Sequence, residues 1–205
     1  VMPIGLVTNR GEWGRRYEDN SWFGTSYENM RQGAFDGAAR LDEQAIDGVD
    51  AEVLYPSQRT MAAFMSQPDP GYHLAGLDAY NQWMWEEFSA ADRNRLIGLY
   101  QMPGVDIESS LMRLKEAKSL GAKGVIISAL PSGNKELSDE DDPFWAAAEE
   151  AELPIHIHAG LKNAGLAASG EIPKVRSPDH AIEFAVPSMQ LMGGAVAEFS
   201  GVFAK

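Results

Sequence analysis

The sequence predicts an α/β fold in which parallel strands alternate with helices around a (β/α)8 barrel. Three observations carry that prediction. Four short apolar runs, centred near Val53, Gly98, Ile126 and Ile157, are separated by segments of helical periodicity, the pattern of βαβ units. The last two intervals are each about the length of one such unit. The third run, Gly124-Val125-Ile126-Ile127-Ser128-Ala129, is apolar and β-branched, as suits a sheet covered on both faces. A doubly wound sheet is the competing architecture. No G-x-G-x-x-G or G-x-x-x-x-G-K-[ST] loop follows any of the runs, so the barrel is preferred.

The elements follow in order. Residues up to about Phe35 are rich in Gly, Asn, Arg, Tyr and Trp without a period. Thr8 to Phe35 reads as an irregular arm or lid whose Trp13, Tyr17, Trp22, Phe23 and Tyr27 suit contact with another surface. The expected organisation is therefore an arm over residues 1–35 and a partial barrel over residues 36–205. Ala39 to Ile46 reads as a short amphipathic helix stopped by Gly48. Ala51 to Tyr55 is the first strand, ended by Pro56. Tyr72 to Asp92 is a long helix carrying Tyr80, Trp83, Met84, Trp85 and Phe88. Arg95 to Tyr100 is the second strand, closed by Met102-Pro103. Ile107 to Leu120 is helical, with Leu111, Leu114 and Ala117 on one face and Gly121 as its stop. Gly124 to Ala129 is the third strand. Asp142 is the expected N-cap of the next helix, with Pro143 in its first turn. Ile155 to Ala159 is the fourth strand, and a last helix is expected from about Pro178 towards Gly201.

Composition excludes several classes of function. Thirty acidic residues against 17 basic ones leave a net charge of −13, which disfavours nucleic acid and anionic membranes as partners. The absence of cysteine removes disulfides, thiolate metal ligands and a thiol nucleophile. Any metal must sit on His and carboxylates. No apolar run approaches the ~18 residues of a membrane span and Val1 to Gly5 does not read as a signal peptide, so a cytoplasmic protein is expected.

Four stretches, taken in order and spacing, resemble the amidohydrolase-related family, whose members include aminocarboxymuconate-semialdehyde and resorcylate decarboxylases. They are Arg40-Leu41-Asp42 with Asp47 to Ser57, Tyr80 to Trp83 with Asp92 to Leu99, Leu120 to Ser128, and Asp142 to Gly160. The resemblance implies a metal-dependent hydrolase-type barrel with a divalent cation, zinc before manganese, at the C-terminal ends of its strands. It implies a small-molecule carboxylate as substrate. Family members carry a His-x-His pair on the first strand and a further His and Asp on strands six and eight. No His pair precedes Ala51, and a full barrel takes about 250 residues. The chain accordingly resembles strands two to five, the central section of such an enzyme.

His158 is the leading candidate for chemistry. It ends a strand, where barrel enzymes place catalytic groups, and a neutral imidazole suits zinc or manganese. The alternative is a core histidine satisfied by a backbone carbonyl; by the resemblance, the His in this Pro-x-x-x-His position ligates the metal. His156 shares the face of His158 because strand side chains alternate. A His-x-His pair on a strand is itself a metal geometry, so a second ligand is the alternative. The resemblance places the pair on strand five, where only His158 binds metal, and His156 is expected one layer deeper, packing or hydrogen-bonding beneath the site. Tyr55, Ser57 and Arg59 follow the first strand at the same end, and Arg59 is suited to clamp a carboxylate, though a solvated loop arginine has the same appearance. Ser128 and Ala129 are expected to line the wall without reacting. His73 and His180 read as surface or cap residues, the tryptophans and methionines as packing, and Asp139 to Asp142 as a solvated acidic turn lacking the pattern of a calcium loop.

The expected function is metal-dependent decarboxylation of a small aromatic or unsaturated carboxylic acid. Hydrolysis of an amide or lactone on the same scaffold is the alternative. A non-catalytic association module is the other class, because a partial barrel leaves parallel edges that seek partners; a homo-oligomer is expected on that ground.

Overall fold

The computed structural model describes residues 31–56, 63–65, 67–134 and 137–158. Within them the order is α1 (Gly37–Asp47), β1 (Glu52–Leu54), α2 (Pro70–Trp83), β2 (Leu96–Gly98), β3 (Tyr100–Gln101), α3 (Ile107–Leu120), β4 (Val125–Ile127), α4 (Asp142–Glu150) and β5 (Ile155–Ile157). Every strand pair is parallel: β1 with β2, β3 with β4, and β4 with β5. Only Leu99 separates β2 from β3, and the hydrogen bonds run through it. The Leu99 N–H donates to the Leu54 carbonyl on one side, and the Tyr100 N–H donates to the Gly124 carbonyl on the other. One continuous segment thus takes β1 on one edge and β4 on the other, and spatial order equals chain order. Parallel strands in chain order, joined through helices, build a barrel wall.

The second strand begins at Leu96 rather than Arg95. Arg95 closes a turn, its N–H meeting the Asp92 carbonyl at 3.1 Å, while its guanidinium donates to the carbonyls of Asp50 and Val49.

Side chains alternate between the two faces of the sheet. The helix-facing set divides between two clusters. Tyr100, Met102, Val125 and Ile127 meet Leu114 and Ala117 of α3 and Phe144 and Ala148 of α4. Leu96 meets Met84 and Phe88, with Leu41, Leu54, Tyr80 and Trp83 packed around them. Phe144, Leu96 and Leu114 are essentially inaccessible, and full burial of each such side chain stabilises the fold by about 1.5–3 kcal/mol. The opposite, inner face carries Val53, Tyr55, Ile97, Leu99, Gln101, Ile126, Ser128, His156 and His158.

The helix ends are set by caps. The Asp36 carboxylate accepts from Ala39 N–H at 2.8 Å at the start of α1, and Asp106 does the same for Ser109 at 2.7 Å in α3. Gly48 and Gly121 close those helices at φ 70° and 77°, a left-handed conformation that glycine adopts without strain. α1 is tied to β1 by Arg40, which grips Glu52 through two 2.6 Å bonds, and by Gln44, which adds a third at 2.8 Å. The Arg40 guanidinium holds the Glu52 carboxyl below its ordinary range. The turn Gln32–Ala34 lies against α1, where Glu43 meets Arg31 at 3.1 Å and the Gly33 N–H at 3.3 Å.

Four further expectations differ from the structure. The long helix starts at Pro70, capped by Asp69, and is α-helical only to Trp83; a π turn, Met84–Phe88, and a 3-10 turn, Ser89–Ala91, follow. Close packing accompanies the change: a Cβ on Gly98 of β2 would lie 2.7 Å from Met84 Cγ and 2.9 Å from Ser89 Oγ, and one on Gly37 would run into the Phe88 carbonyl. Asp142 is not the N-cap but the first residue of α4, preceded by the 3-10 turn Asp139–Asp141. The acidic run is not uniformly solvated. Asp141 is fully buried, and its carboxylate accepts the backbone N–H groups of Ser132 at 2.8 Å and Ser138 at 3.1 Å, which pins the loop after β4. His73, finally, is neither surface nor cap: it is 6% exposed, because this side of α2 packs on the chain leaving β3. Residues 1–30, the last predicted helix and His180 lie outside the described residues.

Candidate functional site

β1 ends at Leu54, and Tyr55 follows it on the inner face, half exposed. The Tyr55 hydroxyl lies 2.7 Å from His156 Nδ1, and the two rings meet edge to face at 5.6 Å between centroids. The other nitrogen of His156 lies over Gly124: a Cβ there would sit 3.2 Å from Nε2. His156 is thereby hemmed between Tyr55 above and the backbone of Gly124 below. It pairs in register with Ile126.

His158 stands one inner-face position further along. Its backbone N–H donates to the Ile127 carbonyl at 2.9 Å, extending the register past β5. Its Nε2 lies 2.8 Å from the Pro56 carbonyl. A carbonyl only accepts, so Nε2 carries the proton, and in the neutral ring the lone pair falls on Nδ1. A ligating histidine ordinarily donates its second nitrogen to such a carbonyl or carboxylate. The backbone-carbonyl bond is therefore compatible with both readings of His158: a satisfied core residue and a ligand with a preset tautomer. The Tyr55 ring lies 6.4 Å from the His158 ring, centroid to centroid.

The fit of a divalent cation extends to this one imidazole. Among the described residues no group of three or more His, Asp or Glu side chains is placed to hold a metal ion. Arg59 and Ser57 lie outside the described residues.

Ser128 follows β4 on the inner face, partly buried. It is not alone there. The Gln101 amide approaches its hydroxyl, with Nε2 at 3.3 Å, and Gln101 is itself fully buried. Neither Gln101 nor its partner Asn81 stands out in the sequence. The available signal was a polar residue at the C-terminal end of an apolar strand, Tyr100-Gln101, directly before Met102-Pro103. Tyr55, Ser128, His156 and His158 all belong to one face at one end of the sheet, as expected of a barrel whose strands are parallel.

Parallel strands in chain order, helices on the outer face and polar side chains at the C-terminal ends of the inner face define a sector of a metal-dependent hydrolase-type (β/α)8 barrel. A sequence model of the amidohydrolase family matches residues 17–204, and the chain belongs to that family. Among solved structures it is similar to an amidohydrolase from Mycobacterium avium subsp. paratuberculosis K-10, with 20% identity and a TM-score of 0.55, covering 67% of this chain and 38% of that one. It is similar also to 2,6-dihydroxybenzoate decarboxylase from Rhizobium, with 20% identity and a TM-score of 0.53 over 79% and 51% of the two chains. A third is 5-carboxyvanillate decarboxylase from Novosphingobium aromaticivorans with bound manganese, with 22% identity and a TM-score of 0.50 over 59% and 34%. At these identities the likeness is one of fold. The chain spans 38% of the first of these structures and 51% of the second. No curated protein matches it. No helix among the described residues is long and apolar enough to cross a membrane.

Proposed function

We propose that the protein is a metal-dependent enzyme that removes CO2 from a small aromatic or unsaturated carboxylic acid. The observation that carries the reading is the His158 ring, held with Nε2 at 2.8 Å from the Pro56 carbonyl at the end of the strands where barrel enzymes do their chemistry. Two similar structures, decarboxylases of aromatic acids, favour the same reaction. His158 would hold the cation through Nδ1, zinc being our first assignment and manganese the second. A divalent cation bound there supplies Lewis-acid polarisation of substrate oxygen atoms. Tyr55 and Ser128 offer hydroxyl groups to the acid, and Arg59, three residues past Pro56, clamps its carboxylate. His156 lies beneath and holds the Tyr55 phenol upright.

Hydrolysis of an amide or lactone is the second reading, favoured by the family description itself, amidohydrolase. The experiment expresses the protein from its complete reading frame and supplies Mn²⁺ or Zn²⁺. CO2 release from 2,6-dihydroxybenzoate and 5-carboxyvanillate is followed beside cleavage of an amide and lactone panel. Metal-dependent CO2 release that disappears in His158→Ala is the expected result. Amide or lactone cleavage without CO2 release establishes the second reading, and a protein that takes up no metal overturns both.

A further inference from the structure

Gln101 ends β3 on the inner face, buried from solvent. Its backbone N–H and carbonyl both meet the Asn81 side chain of α2, each at 2.9 Å. The reason lies in the sheet. Leu99, two residues earlier, directs its N–H towards β1 and the Leu54 carbonyl, and Gln101 points the same way. β1 has ended by that level. The Asn81 amide supplies a donor and an acceptor to these two groups, as a strand neighbour would, and neither buried backbone group is left unpaired.

With its backbone anchored, the side chain of Gln101 is clamped as well. Nε2 donates to the Met102 carbonyl at 2.9 Å and the Ile126 carbonyl at 3.2 Å, and lies 3.3 Å from Ser128 Oγ. The reverse amide orientation would press Oε1 against two carbonyl oxygens, so hydrogen-bond chemistry selects this one. Ser128 Oγ lies in turn 3.5 Å from Oε1. The hydroxyl is held between the two ends of one immobile amide, and among Asn81, Gln101 and Ser128 it alone is only partly buried.

We propose that Gln101, anchored by Asn81, is a positioning residue that fixes the Ser128 hydroxyl for a hydrogen bond to a ligand inside the barrel. The proposal rests on the carboxylate-substrate reading above. The two Nε2 protons go to the Met102 and Ile126 carbonyls. The bond that orients Ser128 is therefore its own hydroxyl donated towards Oε1 at 3.5 Å, which turns the Oγ lone pairs away from the amide. A phenolic hydroxyl of an aromatic acid donates to those lone pairs. Gln101 itself does not touch the ligand.

A double-mutant cycle on the full-length protein, with 2,6-dihydroxybenzoate as the probe, tests this. Gln101→Met retains the volume and removes the amide; Ser128→Ala removes the hydroxyl. Each is expected to weaken probe binding about fivefold to tenfold, with the double variant no weaker than Ser128→Ala alone. Equal losses from Gln101→Met in both backgrounds overturn the proposal, because a merely structural residue acts whether or not Ser128 is present. Failure of the wild-type protein to bind the probe counts against the carboxylate reading. Positioning is then judged in the unliganded protein from the ¹⁵N–¹H resonances of the Gln101 side-chain amide. These are expected to be protected from exchange and to shift in Ser128→Ala, and resonances indifferent to that substitution overturn the proposal. The measurement needs only Ser128→Ala, so it also decides the matter if Gln101→Met does not fold.

Discussion

The Tyr55 hydroxyl and His156 Nδ1 lie 2.7 Å apart across 101 positions of sequence and three strand spacings of the sheet. In a flat sheet those spacings would separate β1 from β5 by about 14 Å. Contact between the two side chains requires the wall to curl towards its inner face, as a barrel does. The bond from His158 to the Pro56 carbonyl spans the same arc at 2.8 Å. Curvature, and not sequence proximity, brings the end of the first strand to the end of the last.

Tyr55→Phe is expected to cost about 0.5–1.5 kcal/mol, the net worth of one hydrogen bond, while leaving the ring contact with His156 in place. Urea denaturation measures the loss, and the Nδ1 resonance of His156 should move with it. A variant that loses no stability and leaves that resonance unmoved shows that the bond does not form in solution.

His158→Ala is expected to remove most of the bound divalent ion from the metal-loaded, full-length protein, because affinity on few ligands falls sharply when one imidazole goes. His156→Leu should leave most of the metal in place. Elemental analysis of both variants decides the assignment: metal retained without His158 and lost without His156 means that the two roles are reversed.

The Arg40–Glu52 pair makes stability depend on acid. The folded-state carboxyl of Glu52 is held below its ordinary value of 4.5, first by the Arg40 hydrogen bonds and against the opposing effect of burial. Its contribution is present above pH 4.5 and is lost as the pH falls from there through the lowered value. Arg40→Met should lower stability at pH 7 and flatten the acid limb of a pH–stability curve. An unchanged acid limb would falsify this assignment.

His73 acts over a different range. Burial, reinforced by the nearby Arg113, keeps its imidazole below the ordinary 6.5, while the Pro103 backbone acts in the opposite direction. Arg113 is itself paired with Asp78 by bonds of 2.7 and 2.6 Å. As the pH falls below 6.5 the unfolded chain takes up a proton that the folded chain refuses, so stability declines until the lowered folded value is reached. Denaturation midpoints between pH 7 and 5 should fall in the native protein and fall less in His73→Gln.

Gly98→Ala is expected to destabilise by about 1–3 kcal/mol. The new methyl would lie 2.7 Å from Met84 Cγ, 2.9 Å from Ser89 Oγ and 3.0 Å from Met84 Sδ. Thermal denaturation reads the effect, and a neutral substitution would show that the π turn Met84–Phe88 yields to the methyl without cost.

Much of the scaffold was legible in the residues themselves. Gly121 ends Ile107–Leu120 where the stop signal places it, and the β-branched Val125-Ile126-Ile127 forms the central strand of its sheet. These signals are local: a stop and a run of apolar residues each act within a few positions of the chain. The π turn was not legible, because Trp83 to Phe88 reads as ordinary helix and only the glycine surface of β2 makes room for the wider turn. Asp141 was hidden likewise among three other acids, since its burial depends on backbone N–H groups at Ser132 and Ser138 that have no side-chain signature.

The alternation of strand and helix, the parallel direction of the strands, and the sharing of one face by His156 and His158 are set by the pattern of residues along the chain. All three follow from periodicity and from the handedness of the chain. Tertiary structure alone decided that Tyr55 meets His156, that Pro56 selects the tautomer of His158, and that Asn81 and Gln101 stand behind Ser128. Each of these is a hydrogen bond between groups 20 or more positions apart. Such a bond forms only when the curl of the sheet and the seat of α2 on it bring donor and acceptor within about 3 Å, a condition that no local pattern of residues encodes.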